Sequence, residues 1–139
     1  NAMVLGGHGD TMVPMPRYTT INGIPVDRFL DEAMIDAIIT RTRKGGAEVL
    51  ALRKNSSAYD APGAAVDAMV SAIAMDRKRI LPTVAILDGE YGEKDIAMGV
   101  PCVLSWEGME KVVELDLNET ERAAFVSSVA AIREDLDRL

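Results

Sequence analysis

The chain has 139 residues and a mass of 15.0 kDa, enough for one domain with a buried core. Its formal charge of −7 and pI of about 4.7 exclude the basic face that nucleic acid or an anionic membrane requires, and no apolar run is long enough to span a bilayer. A single cysteine and a single histidine exclude a disulfide framework and leave any metal site dependent on carboxylates.

In chain order, Asn1-Ala2-Met3 reads as an expression remnant joined to an initiating methionine, which sets residues 1–3 apart from a domain over residues 4–139. The most distinctive motif follows almost at once, so a longer parent protein is expected. Residues 3–5 have strand character, broken by Gly6 and Gly7, and Pro14 and Pro16 predict a loop over 9–16. Asn22-Gly23 is a hairpin turn between short strands at 18–21 and 24–26. Asp27 is placed to cap a helix whose stripe is Phe29, Leu30, Ala33, Met34, Ala37 and Ile38. Gly45-Gly46 is expected to interrupt it, with a resumption over 47–52.

Asn55-Ser56-Ser57 is loop-like, and Pro62 suits the first turn of a helix running to about Arg79, with Ala65, Met69, Ala72 and Ile73 as its face. The basic clusters Arg41/Arg43/Lys44 and Arg77/Lys78/Arg79 fall near predicted helix ends, where cations suit the dipole. Pro82 closes that segment, and 83–87 is a β-type run followed by a turn at 88–92. Two more strands are predicted at 100–106 and 110–115. Asn118 with Glu121 three places on has capping-box spacing, and Phe125, Val129, Ile132 and Leu136 form the stripe of a long C-terminal helix. Hairpins rather than regular βαβ alternation make the fold class α+β: an antiparallel or mixed sheet with helices packed on it.

Chemistry concentrates in "VLGGHGDTMVP", residues 4–14. Imidazole is the side chain suited to taking and returning a proton near neutrality. The glycines around His8 leave its faces open and permit close backbone approach. Asp10 is either an orienting partner for that ring or a turn aspartate bonded to its own loop. A metal-dependent hydrolase built on His8 and Asp10 would need ligands that a single His and Cys cannot supply, so no metal is expected. Neither a nucleophile elbow nor a phosphate loop occurs. Cys102 follows Pro101 in an apolar run and reads as a buried, inert thiol, consistent with a cytoplasmic protein. The methionines read as core filler.

The string "VLGGHGDTMVPMPRYTTINGIPV" resembles the active-site segment of the lactate/malate dehydrogenase family, most like its bacterial, lactate-dehydrogenase-like malate dehydrogenases. Further matches follow collinearly: "RTRKGGAEVLAL", "SSAYDAPGAAV", "DGEYGEKDIAMGVPCVL" and "GMEKVVELDLNETERAAF". The resemblance implies a C-terminal α+β catalytic domain whose partner is its own N-terminal Rossmann domain, the main binder of NAD. It implies His8 as acid/base, Ser57 and Ala58 in the substrate loop, and Pro62 beside the nicotinamide. The substrate would be a small 2-hydroxy or 2-oxo acid, malate by branch, with lactate or another 2-hydroxy acid as the alternative, and the parent a homo-oligomer. The orienting aspartate, the substrate-gripping arginines and the dinucleotide fingerprint of such enzymes lie upstream of the matched part, so this chain alone is expected to be inactive. Asn55-Ser56 stands where the family commonly has glycine, and Asp60 where it has an aromatic. A non-catalytic interaction domain derived from the family is the competing reading.

Overall fold

A computed structural model describes residues 1–138. Two short strands, β1 (Val4–Gly6) and β2 (Met12–Pro14), are followed by the hairpin of β3 (Thr20–Ile21) and β4 (Ile24–Pro25). Two helices come next, α1 (Glu32–Arg53) and α2 (Asp60–Ala74). The long strands β5 (Arg79–Asp88) and β6 (Lys94–Ser105), the shorter β7 (Gly108–Val112) and a closing helix α3 (Glu119–Leu136) complete the order. Among the described residues every strand pairing is antiparallel; the main sheet runs β2-β1-β6-β5, with β7 also on β6. This is the α+β architecture expected, with the sheet antiparallel throughout.

The core forms on one face of β6. Its alternate residues Ile96, Met98, Val100, Cys102 and Leu104 are all buried, as the two-residue period of a strand requires. Ala85 and Leu87 of β5 extend this face, and Phe125 and Val129 of α3 pack over it. The Phe125 ring lies 5.0 Å from that of Tyr91, a tilted aromatic pair.

Helix α3 begins where its sequence says. The Asn118 side chain accepts from the Glu121 amide at 2.9 Å, and the Glu121 carboxylate accepts from the Asn118 amide at 2.9 Å. The same carboxylate accepts two bonds from Arg17, each 2.9 Å, which tie the start of the chain to α3. The Arg17 hydrogen bonds hold the Glu121 carboxyl below its ordinary value, against a smaller opposing effect of burial. A carboxyl depressed by folding stabilises the fold above its unfolded pKa, and that contribution fades as pH falls through the folded value. Glu121→Gln is therefore expected to lower stability by about 1 kcal/mol at neutral pH. The gap to the parent protein should narrow progressively in acid, as pH falls below the ordinary carboxylate range and through the lowered folded value. Urea midpoints at pH 7 and pH 3 measure both; a gap that stays constant with pH removes the ionised carboxylate from the account.

Several expectations are corrected. Residues 9–16 are not all loop, because 12–14 pair with β1 in register Val4↔Pro14. The N-cap of α1 is Asp31, whose carboxylate accepts from the Met34 amide at 2.8 Å; Asp27 instead lies in a 3-10 turn, Val26–Arg28. Gly45-Gly46 does not break α1, which runs on for 22 residues. Two interior glycines weaken a helix by roughly 1 kcal/mol each, and the exposed Arg41–Glu48 pair at 2.7 Å, which spans the glycine turn, offsets part of that cost. The basic residues Arg41, Arg43 and Lys44 are thus mid-helix, not at an end.

Helix α2 stops at Ala74, short of Arg79, because Asp76 and Lys78 take left-handed backbone conformations. Pro82 lies inside β5, directly opposite Pro101, rather than ending a segment. β5 closes one edge of the sheet, where a missing N–H breaks no ladder. The predicted α1 stripe is largely exposed, with no buried residue on that helix, and Leu136 and Met34 are exposed too. Leu52, Val66, Val70, Val84 and Ile86 join them; Ile86 is 75% exposed. These side chains leave apolar surface exposed on α1, α2, β5 and α3.

Candidate functional site

The backbone leading to His8 is held from three sides. Gly6, with a left-handed φ of +85°, turns the chain off β1, and Gly99 of β6 passes so close that no side chain fits between them. The Gly7 amide donates to Ser128 Oγ of α3 at 2.7 Å. His8 itself is extended and begins a 3-10 turn, Gly9–Thr11, that returns the chain into β2. On the far side of that turn the Met12 carbonyl accepts from Arg43 Nε of α1 at 3.3 Å. The loop is fixed while the imidazole remains exposed.

The ring stands between two clefts. One, of about 560 Å³, runs over Val84, Ala97 and Gly99 of the sheet to Ile132 of α3. The other, of about 680 Å³, lies between the His8 loop, the glycine turn of α1 and the start of α2. His8, Ser57, Ala58 and Pro62, the four residues singled out from the sequence, all line this second cleft. Ser57 and Ala58 come from the α1–α2 connection, where the Ala58 amide donates to Ser56 Oγ at 3.0 Å. Pro62 stands in the first turn of α2. The connection is braced by Arg53, whose guanidinium stacks 4.2 Å from the Tyr59 ring and reaches the Asp60 carboxylate at 3.7 Å. Asp60 thus faces the bracing arginine.

Gly45, Gly46, Ala47, Ala58, Ala61 and Pro62 make the cleft's surface small and mostly apolar, with the imidazole, Asp10 and the Arg43 guanidinium as its charged or titratable groups. An imidazole beside an open apolar slot is able to exchange a proton with a ligand whose reacting atom lies against it. Among the described residues neither a hydrogen bond nor an ion pair joins His8 to Asp10, and no three His, Cys, Asp or Glu side chains gather as metal ligands. Cys102 is buried, and burial pushes its thiol up, away from the reactive thiolate.

Two residues that shape the site escaped the sequence reading. Ser128 carried a signal: it is a polar residue at helical spacing inside the stripe of Phe125, Val129 and Ile132. Arg43 carried none that set it apart from its basic neighbours.

Residues 1–139 match the family model described as lactate/malate dehydrogenase, alpha/beta C-terminal domain. The malate dehydrogenase of Thioalkalivibrio sulfidiphilus is 66% identical over 139 residues, covering 100% of this chain and 45% of that protein. That of Nitrosococcus oceani is 63% identical over the same span, again 45% of its length. The chain therefore spans less than half the length of these curated relatives. Among solved structures, the malate dehydrogenase of Salinibacter ruber superposes with a TM-score of 0.93 at 48% identity, over 99% of this chain and 45% of that one. Lactate dehydrogenase from Eimeria maxima, solved with NADH and oxamate, gives 0.93 at 34% identity over 99% and 43%.

Proposed function

Because the chain belongs to the lactate/malate dehydrogenase family, as its alpha/beta C-terminal domain, we propose that it supplies the acid/base and one wall of the substrate cleft of an NAD-dependent malate dehydrogenase. The observation that carries this reading is the convergence of His8, Ser57, Ala58 and Pro62 on one open cleft. Malate is preferred over lactate because relatives at 66% and 63% identity are named malate dehydrogenases.

The cleft's small apolar surface at Ala58, Ala61 and Pro62 fits the flat face of a nicotinamide, with Pro62 the residue that would pack against it. NAD, when bound, supplies the hydride acceptor in oxidation and the donor in reduction. His8 takes the hydroxyl proton of malate as its carbon is oxidised, and returns that proton to the carbonyl oxygen of oxaloacetate in the reverse direction. The fixed loop keeps the exposed ring in one place relative to Ser57 and Ala58, which bound the space for the substrate. The partners are the small 2-hydroxy or 2-oxo acid, a dinucleotide-binding half of Rossmann type, and further copies of the protein, the last two covering the exposed apolar faces of α1, α2 and β5. A cytoplasmic setting accords with the lone buried thiol. Among the described residues no helix is long and apolar enough to cross a membrane.

The chemistry needs base, substrate and hydride carrier held together, and this chain supplies the base and only one wall of the cleft. With oxaloacetate and NADH, the full gene product is expected to turn over, and the 139-residue chain alone to show no more than its own His8→Ala variant. Clear turnover by the isolated chain above that control would refute the division of labour.

A further inference from the structure

Among the described residues Arg43 is the one lysine or arginine that is not exposed. It takes part in none of their ion pairs, in a chain with 22 acidic residues. A half-buried arginine without a carboxylate partner keeps its head in solvent or engages its donors elsewhere. One of them is engaged, by the carbonyl of Met12, the residue that closes the turn behind His8.

What this bond joins gives it weight. α1 forms one wall of the His8 cleft, yet none of its 22 residues is buried, so core packing does little to fix its position. It packs against the turn Gly9–Thr11, and Arg43 lies two and three residues before the glycines that face the cleft. We propose that Arg43 is a positioning residue, which sets the spacing between the His8 loop and the α1 wall by holding the Met12 carbonyl. The proposal rests on the reading of His8 as acid/base. Since reaction geometry tolerates little displacement, a loosened tether acts on the chemical step and leaves substrate capture nearly intact.

The test compares Arg43→Met, Arg43→Lys and His8→Gln with the parent in the full gene product, assayed with oxaloacetate and NADH. Arg43→Met is expected to lower kcat about 10-fold with KM within about twofold, and Arg43→Lys, which keeps a donor, to recover most of the loss. Arg43 also lines the cleft, so a loss carried by KM would make it a substrate contact and overturn the positioning role. An unchanged kcat, or a lysine variant no better than methionine, overturns it equally. If His8→Gln keeps full turnover, the acid/base reading falls and takes this proposal with it; if His8→Gln is inactive and Arg43→Met fully active, the proposal alone falls. Should Arg43→Met not fold, Arg43→Gln provides the same comparison against lysine.

Discussion

Replacing His8 with glutamine is expected to lower kcat/KM for oxaloacetate reduction by about a thousandfold in the full gene product. Glutamine approximates the size and polarity of the ring but cannot take and return a proton. Folding should be indifferent to the change. The imidazole is exposed and makes no hydrogen bond among the described residues, and the loop is held by backbone contacts to Ser128 and Arg43. Surface replacements of this kind shift stability by about 0.5 kcal/mol or less. The loss should appear in both reaction directions, because under the proposed mechanism one group donates in reduction and accepts in oxidation. Steady-state assays in both directions, with a melting curve for each protein, decide the matter. A variant within about tenfold of the parent would mean that the proton travels by another route.

How far the site could be read in advance depended on whether its determinants are local. The Asn118–Glu121 box and the Asn22-Gly23 turn are local backbone chemistry, and both form where the residues predict. Residues 8, 57, 58 and 62 were marked by resemblance, and the fold gathers them in one cleft. The misses are non-local. Periodicity identified an apolar stripe on α1 but could not say what covers it, and within this chain most of it stays uncovered. Gly45-Gly46 is a helix break by propensity alone, but the turn is spanned by Arg41–Glu48 and the missing side chains leave room in the cleft. Pro82 reads as a terminator until its partner is known to be Pro101 on the protected side of an edge strand. Ser128 supports the His8 loop across 121 residues of sequence, a pairing no local window contains.

The same non-local logic gives the largest expected effect on folding, Gly99→Ala. β1 meets β6 in a single register pair, Gly6↔Gly99. A Cβ built on Gly99 would lie 2.5 Å from the Gly6 carbonyl oxygen, with Gly6 C and N at 3.6 and 3.7 Å behind it. These are backbone atoms, so no rotamer change relieves the clash, and the strands must separate. Overpacking of this severity destabilises by about 3 kcal/mol. Gly9 is the contrast: it has a left-handed φ of +74° but nothing within 4 Å of a would-be Cβ. Alanine there should cost only the local backbone strain, about 1 kcal/mol. Urea unfolding of the two variants therefore separates steric exclusion from conformational preference, and similar losses in both would sink the distinction. The clash also has a catalytic consequence, because β1 ends two residues before His8. Even in Gly99→Ala molecules that remain folded, the ring should be displaced from the cleft wall. Activity per folded molecule should then fall together with stability in Gly99→Ala, while stability alone falls in Glu121→Gln, whose contacts tie Arg17 to α3 and leave the His8 loop untouched.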